Sequence, residues 1–382
     1  MRKIKYTAFS LIAVIAVAGV IELLSYAFFT LRNDRITFAD PNEFTLTDRE
    51  IATVTEMFDR QLGWDTKHAT PFGERPRSIV YAKDLLMTFG DSFTYCDEVA
   101  DNETWQTYLA QQMHENVYNF GTGAYGTDQA LLKFREDHTR VKTKIVSLGL
   151  ITENINRLVN IYRKFYLPFT GIPATKPRFV LKGDKLVLRP NPLQRVEDLQ
   201  RLKDEKFIDQ LGKEDFWYNQ SGRPHFSFPY SAILFNKSVW REILQGYPDD
   251  SLDDYDDMAV HDPWEHPEMQ KLLFAVIDAF MSEAAKDGSL PVVLIFPLKD
   301  ELIYTIETGN EPPAIKIISN YCQWKRYNYY CPIHALTNEV STSAALDPLF
   351  TENGHYSVSG NKLLAKHFYR YITKLQRHAP SL

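Results

Sequence analysis

Leu85-Leu86-Met87-Thr88-Phe89-Gly90-Asp91-Ser92-Phe93-Thr94-Tyr95-Cys96 is an apolar run that breaks into a tight turn and presents a serine. The run Leu85 to Phe89 reads as a buried strand, and Gly90-Asp91 as the turn that ends it. A serine at the first position of the following helix gains two properties. Its hydroxyl projects from a fixed corner, and its own N–H is among the unpaired donors of a helix N-terminus, where a developing oxyanion is stabilised. Asp91 is a turn residue that hydrogen-bonds nearby backbone and receives no chemical role.

Three further blocks extend this reading along the chain. Val117-Tyr118-Asn119-Phe120 leads into the glycine-rich turn Gly121-Thr122-Gly123-Ala124-Tyr125-Gly126 and then a helix from Thr127. Ile145 to Gly149 is a third strand, with Asn154 just beyond its end. Near the C-terminus, Glu352-Asn353-Gly354-His355 precedes the amphipathic run Gly360 to Leu375. Strands alternating with helices of this length predict a parallel sheet covered on both faces. The helix Pro267 to Lys286 and the strand Pro291 to Phe296 continue the pattern, and the helix Ser359 to Leu375 closes it.

In this order the blocks resemble those of the SGNH (GDSL-type) hydrolases, over roughly Gly63 to Leu375. Leu62-Gly63-Trp64, Arg75-Pro76 and the hairpin-like stretch Lys176 to Leu188 look like membrane-anchored bacterial members. The resemblance implies a flavodoxin-like α/β/α fold with a mostly parallel sheet. It also implies a serine esterase or acyl hydrolase working through an acyl-serine intermediate on an O-acylated, carbohydrate substrate. Ser92 is the expected nucleophile and His355 the base. Glu352 is the expected acid, with Asp347 as a more distant candidate. The oxyanion donors would be the backbone N–H groups of Ser92 and of the Gly123-Ala124 turn, with the Asn154 side chain. Three positions depart from the family pattern: the aspartate before the histidine is missing, Ala124 stands where glycine is usual, and Cys96 where glycine is frequent. Two other functions stay open on this reading. One is an O-acyltransferase of envelope polysaccharide, and the other a glycan-binding or assembly protein with decayed catalysis.

The rest of the chain sets limits. At 382 residues with 44% hydrophobic content it can bury a large core. Its net charge of -6 argues against nucleic acid as a partner. Arg2, Lys3 and Lys5 precede an apolar run from Tyr6 to Leu31 broken by Glu22, which reads as a membrane anchor with a cytoplasmic N-terminus. A cleaved export signal ending at Ala16-Val17-Ala18 is the other reading; the continuation of the run beyond Ala18 favours the anchor. Either places the globular part outside the cytoplasm, across a bacterial inner membrane. The expected division is an anchor at 1–32, an approach segment at 33–83, and a hydrolase domain at 84–382 with an insertion at 161–262. That insertion holds an aromatic segment from Phe216 to Trp240 and an acidic run, Asp249 to Asp257, read as a solvated loop. Cys322 and Cys331 are either a disulfide or two buried thiols. No spacing matches a metal site, and neither metal nor organic cofactor is expected; His261-Asp262-Pro263-Trp264-Glu265-His266 reads as a loop.

Overall fold

A computed structural model describes residues 2–32, 38, 41–66, 68–220, 226, 228–245, 263–340 and 342–378. The acidic run Asp249 to Asp257 and the pair His261-Asp262 lie outside them. The chain divides into two compact units, Met1–Thr45 with Leu202–Asp262, and Leu46–Arg201 with Pro263–Leu382.

The larger unit is built on five strands: β1 (Asp84–Phe89), β2 (Asn116–Asn119), β3 (Ile145–Leu150), β4 (Leu290–Ile295) and β5 (Asn328–Tyr330). Their order is β2-β1-β3-β4-β5, and every pairing is parallel. This is the flavodoxin-like order, whose direction of winding reverses between β1 and β3. Side chains on β1 alternate between the two covered faces. Phe89 packs on Phe120, Phe134 and Phe280, toward the helices Thr127–Asp137 and Pro267–Lys286. Thr88 receives a hydrogen bond from Gln106 of the helix Trp105–Met113, which packs on the C-terminal helix Val358–His378. With apolar residues demanded on both faces, the strands read as continuous hydrophobic runs rather than alternating ones. β5 escaped the sequence reading because it has three half-buried residues at a sheet edge and carries no such run.

Within the same unit, residues 46–83 are stitched to the turn after β2. Trp64 is buried and donates its indole N–H to Gly123 O (3.0 Å), while Tyr125 OH donates to Trp64 O (2.7 Å). The stretch Arg178–Lys182 pairs with Lys185–Arg189 around Gly183-Asp184 as a two-stranded hairpin. It packs through buried Phe179 beside the helices Thr127–Asp137 and Pro267–Lys286.

In the smaller unit, the helix Arg2–Leu31 is long and apolar enough from Ser10 to Leu31 to cross a membrane. Its last turns pack on the 3-10 segment Tyr230–Phe235 and the helix Lys237–Gln245, around buried Phe29, Ile233 and Val239. Glu22, the one carboxylate in the apolar run, accepts hydrogen bonds from the backbone N–H (3.3 Å) and the hydroxyl of Ser231.

Candidate active site

β1 delivers Ser92 as the first residue of the short helix Ser92–Tyr95. Asp91 caps that helix, accepting from the N–H groups of Phe93 (2.9 Å) and Thr94 (3.4 Å). The turn is steric as well as polar. A Cβ on Gly90 would lie 2.1 Å from Thr94 Oγ1, and one on Gly121 would lie 2.4 Å from Tyr95 N. Only glycine at both positions lets the end of β2 back directly onto the serine helix. The helix then stops at Cys96, which adopts φ +66. Among the described residues, neither the Ser92 hydroxyl nor its N–H has a hydrogen-bond partner.

His355 lies beside this corner, its ring 5.2 Å from that of Phe93 between centroids. The carboxylate next to its Nδ1 is Glu98, at 3.5 Å, and not the expected Glu352. The loop presents Thr351 and Asn353, both of which donate to Glu98, and leaves Glu352 exposed and without an ion pair or hydrogen bond among the described residues. Asp347 is held elsewhere, paired with Lys299 Nζ at 2.8 Å. At 3.5 Å the imidazole and carboxylate are too far apart for a good hydrogen bond, and buried Nδ1 has no hydrogen-bond partner among the described residues. Burial acts to raise the Glu98 carboxyl, but the donors Thr351 and Asn353 and the nearby imidazole outweigh it and hold it below the usual glutamate range. Its neighbour Asp97 goes the other way: burial dominates and raises it, despite His355 and Arg75.

The expected oxyanion donors divide into two groups. Ser92, Gly123 and Ala124 have backbone N–H groups with no acceptor among the described residues. Ala124 keeps the left-handed backbone that glycine adopts freely, at φ +66. That conformation costs a non-glycine residue about 1–2 kcal/mol, and three contacts hold it. Trp64 Nε1 bonds Gly123 O, Arg163 Nη1 bonds Ala124 O (3.2 Å), and the Tyr125 N–H bonds Thr122 O (3.3 Å). Asn154 is different, because its side chain is already used. Its oxygen accepts from Ile151 N (3.1 Å), and its two N–H bonds go to Asp91 Oδ2 (2.9 Å) and Tyr125 O (3.3 Å). The second bond is the one that can be redirected, because Arg157 Nη1 also donates to Tyr125 O, at 3.0 Å. Asp91, fully buried, thus does more than cap: it anchors Asn154. Burial pushes its carboxyl above the usual range, against the pull of Arg157 and Asn154.

Sequence reasoning missed Glu98, Arg157 and the role of Arg75. Arg75 sits under the loop that carries Asp97 and Glu98. Its Nη1 donates to Tyr95 O (2.5 Å) and Cys96 O (2.8 Å), its Nη2 to Val99 O (2.5 Å), and its Nε to Asp101 (2.7 Å). Cys96 and Glu98 both have positive φ there, so the guanidinium holds a strained loop in place. No local pattern marks these residues. The Cys96 thiol turns inward toward Gln106 Oε1 (3.3 Å), and burial pushes its pKa up to about 12. Cys322 and Cys331 form no disulfide, and both are free thiols. Cys322 lies on the inner face of the helix Pro313–Lys325 with Ile315 and Ile318, whereas Cys331 follows the edge strand β5. Burial pushes Cys322 up to about 12 and raises Cys331 further.

With a serine after β1, an asparagine after β3 and a histidine before the last helix, the carboxyl edge of the sheet gathers all the expected blocks. The chain is similar, at low identity, to several solved proteins. A solved G-D-S-L-family protein described as a putative lipolytic protein, from Desulfitobacterium hafniense DCB-2, matches 75% of this chain and 99% of its own at 12% identity and TM-score 0.37. A lipolytic G-D-S-L-family protein from Veillonella parvula DSM 2008 matches 74% of this chain and 93% of its own, at 10% identity and TM-score 0.35. A catalytic mutant of an acetylxylan esterase from Geobacillus stearothermophilus matches 76% and 94%, at 12% identity and TM-score 0.37. No family model matches the chain, and no curated protein matches it in sequence.

Proposed function

We propose that this chain is a membrane-anchored, exported serine esterase acting on an O-acylated carbohydrate. The observation that carries the reading is an unpartnered Ser92 at a helix start whose next residue, Phe93, packs against a histidine backed by a carboxylate. In the proposed cycle, Ser92 Oγ attacks the acyl carbon while His355 takes the hydroxyl proton. The carbonyl oxygen becomes an oxyanion facing the N–H groups of Ser92 and the Gly123-Ala124 turn. The C–O bond to the sugar breaks, and His355 returns the proton to the departing alcohol. Water, activated by His355, then cleaves the acyl-serine. Glu98 holds the imidazole and offsets its positive charge. The helix from Ser10 to Leu31 is the proposed anchor, with the N-terminus in the cytoplasm.

A second reading, a binding protein with decayed catalysis, draws on the engagement of both Asn154 N–H bonds by the protein itself. One experiment separates the two. Full-length wild type and Ser92→Ala, purified in detergent, are given p-nitrophenyl acetate and a fluorophosphonate probe. Turnover and labelling that depend on Ser92 support the esterase. Equal background rates and no label at Ser92 overturn it. Release of acid from acylated glycan, with and without an acceptor sugar, then distinguishes hydrolysis from acyl transfer.

A further inference from the structure

The span Ser10 to Leu31 is about 33 Å long at about 1.5 Å per residue, a little more than a hydrocarbon core about 30 Å thick. Counted from Ser10, Glu22 stands about 18 Å along the helix, so its bonds to Ser231 form at membrane depth. Beyond Glu22 one side of the helix is covered by residues 230–243, but Leu23, Leu24 and Leu31 remain exposed.

The covering segment is itself apolar on its outer side. In the helix Lys237–Gln245, Val239 and Ile243 face the anchor, while Trp240 and Leu244, one turn apart, are 37% and 78% exposed. Phe228 and Phe235 are 75% and 86% exposed. A segment covering a helix in water would place polar groups at these positions. The Trp240 indole N–H is satisfied internally, by Leu234 O at 2.7 Å, and so needs no water.

We propose that residues 228–244 form a lipid-facing collar around the outer end of the anchor, with Phe228, Phe235, Trp240 and Leu244 seated in the outer interface of the bilayer. The inference rests on the anchor reading above. Amphipathic rings at headgroup depth are the usual occupants of that zone. Glu22 is tolerated because Ser231 satisfies its carboxylate at the same depth. The collar makes the anchor a two-part device, a spanning helix and an interfacial segment packed on it.

The test uses the full chain in phosphatidylcholine vesicles whose acyl chains are brominated either near the headgroup or near the chain end. Subtracting the fluorescence of Trp240→Phe from that of wild type isolates Trp240. That signal should lose most of its intensity in brominated lipid, more with shallow than with deep bromine, and resist aqueous acrylamide. A Trp240 signal untouched by bromine and quenched by acrylamide overturns the collar. Phe235→Trp in the Trp240→Phe background repeats the measurement at an exposed position, where the new ring disturbs little packing. Carbonate extraction of the same vesicles reads the anchor separately. Release by carbonate sinks the anchor and the collar together, whereas retention without quenching sinks the collar alone.

Discussion

Replacing Glu98 by glutamine removes one charge beside His355 and keeps the shape of the side chain. In the proposed cycle the imidazole gains a full positive charge when it takes the serine proton, so the loss falls on the transition state. At 3.5 Å, Coulomb's law gives about 5 kcal/mol at an effective dielectric near 20 and about 1 kcal/mol in water. Both side chains are about a quarter exposed, 22% for His355 and 25% for Glu98, so solvent screening places the interaction between those limits. A value of roughly 2–3 kcal/mol corresponds to a fall of about 30- to 150-fold in kcat/KM. That is well short of the roughly 10⁴-fold loss seen when a buried triad acid becomes an amide. The assay is ester hydrolysis by full-length Glu98→Gln, run beside Glu352→Gln, which should retain wild-type activity. Activity within about twofold of wild type in Glu98→Gln, with a large loss in Glu352→Gln, would refute the assignment.

Other consequences follow from the same geometry. Arg75→Ala leaves the buried carbonyl of Cys96 and the half-buried carbonyl of Val99 without their guanidinium donor and should cost about 3 kcal/mol in stability, read by denaturant unfolding. Arg75→Lys should recover little of this, because a single ammonium cannot reproduce the fork. Gly121→Ala places a Cβ 2.4 Å from Tyr95 N, with backbone on both sides, and should cost about 3 kcal/mol while displacing Ser92; thermal unfolding and probe labelling should both fall. Glu98 also sets a pH dependence. Its carboxyl is held below the ordinary value of about 4.3, so the stability it contributes is present above that pH and is lost as pH falls through the folded pKa. Melting curves of wild type and Glu98→Gln should therefore differ near neutrality and converge in acid; a constant gap would show that the carboxylate charge contributes nothing.

Much of the scaffold was legible because its signals are local. The apolar runs of β1, β3 and β4 must bury both faces, and the long helices show the matching periodicity. Gly90-Asp91-Ser92 marks the corner because a strand that turns so sharply needs a residue without a side chain there. Asn154 and His355 carry no such local signal, and only the resemblance of the block order to the SGNH hydrolases pointed to them. The edge strand β5 could not be found, since three half-buried residues leave no pattern.

The sequence by itself determined the alternation of strands and helices, the serine corner and the long apolar N-terminal run, each written in neighbouring residues. Only the tertiary structure decided which carboxylate meets the histidine. Glu98 and His355 are far apart in sequence, and their meeting depends on a left-handed turn held by Arg75 from a third segment. The same holds for Asn154, whose amide is committed to Asp91 across two strands, and for Glu22, which is satisfied by Ser231. A polar group's partner is a property of packing, and packing brings together residues that no local pattern connects.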